Sequence, residues 1–186
     1  MTAAEHLPPP APVPSGHLPP DPRPAVADFR AALGRFATGI TVVTTTVHGE
    51  DHAMTASAFT SVSLDPPVVL VCVEKVARFH EAILESGVWG VSVLAEDAGE
   101  LGTWFATRGR PLRGQLDGVP LTRGPHTGVP LLAAALSTVE CRTRSVHDGG
   151  DHTVVLGDAL WVDLPAPQGR PLVYWSGGYH GMGHRH

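Results

Sequence analysis

Six runs rich in β-branched and aromatic residues punctuate this chain: ITVVTTTV (40–47), VVLVCV (68–73), VWGVSVL (88–94), LSTVECRTRSV (136–146), HTVVLGDALWVDL (152–164) and LVYW (172–175). Side chains branched at Cβ pack well on a pleated surface and lose freedom in a helix, so each run predicts a strand. The connections then decide the architecture. Parallel pairing needs a crossover of a dozen or more residues, usually a helix, and only three stretches read as helical. AVADFRAALGRFATG (25–39) carries Val26, Phe29, Leu33 and Phe36 at helical spacing between Pro24 and Gly39. KVARFHEAILES (75–86) is closed by Gly87, and AGELGTWFATR (98–108) is opened by a capping-type spacing from Asp97 to Glu100. Strands this numerous with so few helices do not make regular βαβ units. They predict a mainly β chain that closes as an antiparallel barrel. HGEDH after the first run and LDPP before the second are expected turns, Pro67 fixing the backbone ahead of its strand.

The 186 residues suffice for one domain with a sizeable core, and composition shifts once. Nine of the 18 prolines precede Ala25, so residues 1–24 are expected to form a disordered or extended arm; 25–180 hold the domain and 181–186 a flexible His/Gly tail. The net charge of −5, with no Lys/Arg cluster, argues against a nucleic-acid partner. No apolar run approaches the ~18 residues of a membrane span and no basic-then-apolar leader is seen, so a cytoplasmic chain off the membrane is expected. Cys72 and Cys141 sit in separate predicted strands and read as core thiols rather than a disulfide, which suits a reducing compartment. His180, His184 and His186 sit in a Gly-rich tail that lacks the fixed ligands of a metal site and the outer hydrogen bonds that orient them, and no metal is expected.

The stretch MTASAFTSVSLDPPVVLVCV (54–73) crowds hydroxyls at Thr55, Ser57, Thr60, Ser61 and Ser63 just before a buried strand. Such residues tie up backbone in turns. They also let the main chain approach a ligand and offer it hydroxyls and amides. No GxGxxG follows a strand, so a nicotinamide dinucleotide would not be held as in a Rossmann domain.

FRAALGRFATGITVVTT, MTASAFTSVSLDPPVVLVCV, SGVWGVSVLAED, GDHTVVLGDAL and PLVYWSGGY occur in that order from about Val26 to Tyr179. Together they resemble the flavin reductase-like domain of the split-barrel flavin-binding group, and within it the small reductase components of two-component flavin-dependent monooxygenases. The resemblance implies a six-stranded Greek-key split barrel, a homodimer, and reduction of FMN or FAD by NADH or NADPH, the reduced flavin leaving for a partner monooxygenase. It also assigns roles. Thr55, Ala56, Ser57 and Ser61 would meet the flavin, with Cys72 on the following strand. Lys75 and Arg78 would supply charge to its phosphate, and Phe105 would abut a ring. His152 of the Gly150-Asp151-His152 triplet would be catalytic on the nicotinamide side, with Tyr179 near the same pocket. Arg108, Arg110 and Arg113 read as a solvated loop. Val76 and Ala77 stand where the family commonly has Ser, Phe79 where it has Thr, and Ser176 where it has Arg. A flavin-binding barrel without turnover, holding FMN tightly, is the alternative; the substrate-phosphate pattern of pyridoxamine phosphate oxidases is not found.

Overall fold

A computed structural model describes residues 23–111, 113–166 and 168–182. Residues 1–22 of the expected arm and 183–186 of the expected tail lie outside them. The order is α1 (Val26–Leu33), β1 (Thr38–Gly39), β2 (Thr41–Val47), β3 (Glu50–Ala56), β4 (Phe59–Leu64), β5 (Pro67–Glu74), α2 (Arg78–Ser86), β6 (Val88–Val93), α3 (Gly99–Ala106), β7 (Leu121–Arg123), β8 (Pro130–Leu132), β9 (Ser137–Gly149), β10 (His152–Asp163), β11 (Leu172–Trp175) and β12 (Gly178–Gly181). The chain is mainly β, with three short helices among the described residues, and its paired strands are antiparallel. None of these helices is long and apolar enough to cross a membrane.

The main sheet has seven strands, where six were expected, in the order β3-β2-β6-β9-β10-β5-β4. Its two edge strands, β3 and β4, are joined only by Ser57 and Ala58. Laid flat, seven strands would separate the edges by about 29 Å at the usual interstrand spacing. Three peptide steps reach at most about 11 Å. The sheet therefore rolls until its edges meet at Ser57–Ala58. Val43, Val71, Val73, Phe79, Ile83, Trp89, Val91, Cys141 and Val155 form one core cluster within it. Gly157 makes room for the buried indole, since a Cβ there would lie 2.5 Å from Trp89 Cζ2. A second cluster, with Ile40, Val42, Leu94, Phe105, Leu132 and Leu172, anchors α3 and the small β1-β11-β12 sheet.

Several local expectations change. The turn expected over HGEDH shrinks to His48 and Gly49, both at positive φ as a type I′ hairpin requires. Glu50 already belongs to β3, whose polar residues are drawn into a strand by pairing with β2. The hydroxyl-rich stretch is thus the end of β3, a two-residue link and β4. α3 starts at Gly99 behind Ala98 with no side-chain cap, so Asp97 does not cap it. α1 stops at Leu33 and buries no residue, leaving Val26, Phe29, Leu33 and Phe36 exposed.

Candidate active site

A cleft of about 450 Å³ opens where the rolled sheet meets itself. One side is the β3–β4 link; the others come from the end of β5, the start of α2, the end of α3 with the turn after it, and the first residue of β10.

On the inner side, Thr55 donates from Oγ1 to the Gly102 carbonyl of α3 at 2.7 Å, so this hydroxyl fastens strand to helix. Ala56 is buried, whereas Ser57 and Ala58 are exposed and small, which leaves the backbone approachable. Cys72 N–H donates to Ala58 O at 3.0 Å and ties the link to β5. Burial raises the pKa of the half-buried Cys72 thiol, which disfavours the thiolate a nucleophile needs. Arg110 is the strongest brace. Its guanidinium donates to the carbonyls of Trp104 (3.1 Å), Phe105 (2.6 Å) and Thr107 (2.5 Å) at the end of α3, and to Ala53 O of β3 (2.8 Å). It lies 5.7 Å from the Phe105 ring centroid, and a cation suits both this aromatic contact and the negative end of a helix dipole. Burial and then Arg78 lower its pKa, but its Nε–H still lacks a partner among the described residues. Arg110 is thus not the solvated loop residue expected beside Arg108 and Arg113. Nothing in RGRPLR sets it apart from them, because its partners are backbone carbonyls.

At the mouth, α2 begins behind Ala77, which offers no side-chain cap; the His80 amide donates to Ala77 O at 2.9 Å, and the amides of Arg78 and Phe79 are left to face an anion. Arg78 itself donates to Arg110 O. Arg108 spans the opening to Glu74, with Nη2 2.8 and 2.7 Å from the two carboxylate oxygens. Gly150 and Asp151 form the two-residue turn between β9 and β10, with Gly150 at φ +83° and Asp151 at negative φ, the pattern of a type II′ hairpin. That turn sets His152 opposite Glu74, and Nδ1–H donates to Asp151 Oδ1 at 2.7 Å. This hydrogen bond holds the Asp151 carboxyl below the usual carboxylate range.

Of the residues singled out from sequence, the cleft brings together Thr55, Ala56, Ser57, Cys72, Arg78, Phe105 and His152. It does not bring in Ser61, which is exposed on β4 opposite Val69. Lys75 turns to Asp148, an exposed ion pair outside the lining. Tyr179 lies against α3 in a separate concavity with Glu100, Thr103 and Trp104, and a Cβ on Gly102 would sit 3.2 Å from its hydroxyl. Burial raises the pKa of that phenol. Tyr179 and His152 therefore do not share a pocket within one chain. No three His, Cys, Asp or Glu side chains converge on a metal-sized site among the described residues, and His184 and His186 lie outside them.

The sequence profile of the flavin reductase like domain matches residues 33–183. An NADH-dependent flavin reductase from Rhodococcus sp is 41% identical over 167 residues, covering 87% of this chain and 89% of that protein. The reductase subunit HsaB of a flavin-dependent monooxygenase from Mycobacterium tuberculosis is 37% identical over 155 residues, 83% of this chain and 81% of HsaB. The crystal structure of BorF, the flavin reductase component of a bacterial two-component tryptophan halogenase, superposes with a TM-score of 0.81 at 42% identity, covering 87% of this chain and all of that one. On this evidence the chain belongs to the flavin reductase like domain family.

Proposed function

We propose that this chain is an NAD(P)H:flavin oxidoreductase that reduces FMN or FAD and supplies reduced flavin to a partner monooxygenase. The observation that carries the reading is the cleft itself: small Ala56, Ser57 and Ala58 on one side face an uncapped helix start with Arg78 on the other. Its volume of about 450 Å³ falls in the ~300–1,000 Å³ range of small-molecule sites. The donor set fits a flavin, with small residues for close approach to a flat ring and a cation with helix amides for a phosphate.

When bound, the flavin supplies a hydride acceptor at N5. The residues supply position. Arg78 and the first two amides of α2 would hold the flavin's phosphate, and Ser57 and the amides of the β3–β4 link would hold its ring edge. Phe105 and Arg110 keep that wall in place. The Asp151 hydrogen bond selects the His152 tautomer with Nδ1 protonated, which leaves Nε2 to accept from the carboxamide of a nicotinamide. Relatives named for NADH support NADH as the donor.

The finer architecture is a six-stranded Greek-key split barrel in which β3 and β4 count as one strand interrupted at Ser57–Ala58; the two-residue link supports this. The chain works as a cytoplasmic homodimer. A second copy covering α1 would explain how an amphipathic helix can leave its apolar residues outside the core.

The deciding experiment follows aerobic oxidation of NADH and NADPH with FMN, FAD and riboflavin added in turn. Consumption that saturates with flavin is expected. No consumption above the spontaneous rate with any flavin would overturn the reading, and yellow flavin retained through purification without turnover would identify a binding protein instead.

A further inference from the structure

Cations around the cleft mouth are matched in an uneven way. Arg78 gives its N–H to a neutral carbonyl, that of Arg110. Arg108, on the turn that bends at Gly109 (φ +80°), is instead held at two points by a carboxylate, Glu74. Glu74 ends β5 inside the cleft lining, opposite His152. A phosphate arriving here meets one cation ready to add a ligand, a second already neutralised, and a carboxylate as near neighbour. The Arg108–Glu74 pair is open to water, the Arg108 side chain 79% exposed and that of Glu74 34%. An ion pair so exposed parts at little cost.

Resting on the flavin reading above, we propose that Glu74 sets the affinity for the phosphate-bearing part of the flavin. It holds Arg108 until a phosphate takes its place, and then remains beside the ligand as a like charge that promotes release. A reductase whose product must leave for another enzyme needs such a weak hold. The device acts only on flavins that carry phosphate, which makes it separable from packing around the ring. Arg108 has the geometry for the exchange, because a planar guanidinium pairs equally with a carboxylate or with phosphate oxygens.

The test titrates the whole protein with riboflavin, FMN and FAD, following quenching of flavin fluorescence. Glu74→Gln should bind FMN and FAD about tenfold more tightly, the scale of removing one charge several ångströms from a multiply charged phosphate near a surface. Riboflavin affinity should stay within about twofold, and Glu74→Asp, which keeps the charge, should stay near the parent for all three ligands. Adding Arg108→Gln to Glu74→Gln should remove most of the gain. Equal changes for riboflavin and FMN, or a Glu74→Gln variant that binds FMN no better than the parent, would overturn the proposal. If the parent protein binds none of the three, the flavin reading itself falls.

Discussion

The inner side of the cleft is fastened by hydrogen bonds to neutral backbone carbonyls: Thr55 on Gly102 and Arg110 on Phe105 and Ala53, all part-buried, Cys72 N–H on Ala58, and Arg110 again on the exposed carbonyls of Trp104 and Thr107. The mouth of the same cleft is spanned by the ion pair Arg108–Glu74, with Lys75–Asp148 outside the lining, and both pairs are open to solvent. Buried hydrogen bonds are costly to leave unmade, whereas exposed ion pairs contribute little and exchange partners easily. The inner wall is thus suited to fix where a ring lies, and the mouth to admit and discharge a charged ligand. Stability and geometry should depend on the first region, and ligand traffic on the second.

The largest test of that division is Arg110→Met, which keeps an aliphatic stem over Phe105 but takes the charged donor from the part-buried carbonyls of Phe105 and Ala53. Losing a braced charged donor should lower stability by about 3 kcal/mol and weaken every flavin, riboflavin included, by about tenfold or more. Thermal melts and fluorescence titration check both. A variant that melts like the parent would show that α3 holds the wall unaided.

His152 stands where the two regions meet, placed by a hairpin turn but exposed at the mouth. His152→Ala should slow hydride transfer by one to two orders of magnitude, roughly 1.4 to 3 kcal/mol of barrier, with flavin affinity changed less. Anaerobic stopped-flow reduction of flavin at saturating NADH reads the step without reoxidation. An unaltered rate combined with a lower melting temperature would make His152 a turn residue only.

The pattern of what could be read beforehand follows the same division. VVLVCV and HTVVLGDALWVDL announce β5 and β10 through their β-branched residues, and the positive φ at Gly150 explains the turn in GDH. β3 was invisible because Glu50, Asp51 and His52 have no strand preference of their own; pairing with β2 makes them a strand. With β3 and β4 both missed, the seam between them showed only as a run of turn-forming hydroxyls, two of which, Thr55 and Ser57, do border the cleft. Arg110 was not legible at all, since a side chain recruited by backbone carbonyls leaves no mark in the residue pattern around it. Tyr179 was expected near His152, but α3 stands between the two positions, and that separation depends on packing no local motif encodes.

Ser57 and Ser61 separate sequence from placement more finely. Both lie in the hydroxyl-rich stretch, yet Ser57 borders the cleft and Ser61 faces out from β4. Ser57→Ala should weaken flavin binding by about 1 kcal/mol, one hydrogen bond's worth, and Ser61→Ala should leave it unchanged. Equal losses from the two variants would mean that the ligand extends along β4, beyond the cleft described above.

The smallest effects belong to the exposed pair Lys75–Asp148. Its hydrogen bond from Lys75 holds the Asp148 carboxyl below its usual pKa of 3.8. With the folded pKa below the unfolded one, the linked stability is fully present above pH 4 or so and is lost as pH falls through the folded value. Lys75→Met should therefore flatten a small part of the acid limb of stability, and the difference should fade in about 1 M salt, as expected for a screened surface pair. Its effect on FMN affinity should stay near twofold, a through-solvent charge effect, while Arg78→Met at the helix start should cost about tenfold or more. Comparing these two variants in one titration series tells which cation holds the phosphate. A larger loss from Lys75→Met than from Arg78→Met would mean that Lys75 abandons Asp148 for the ligand, and that the exchange of partners at the mouth runs through Lys75 as well as Arg108.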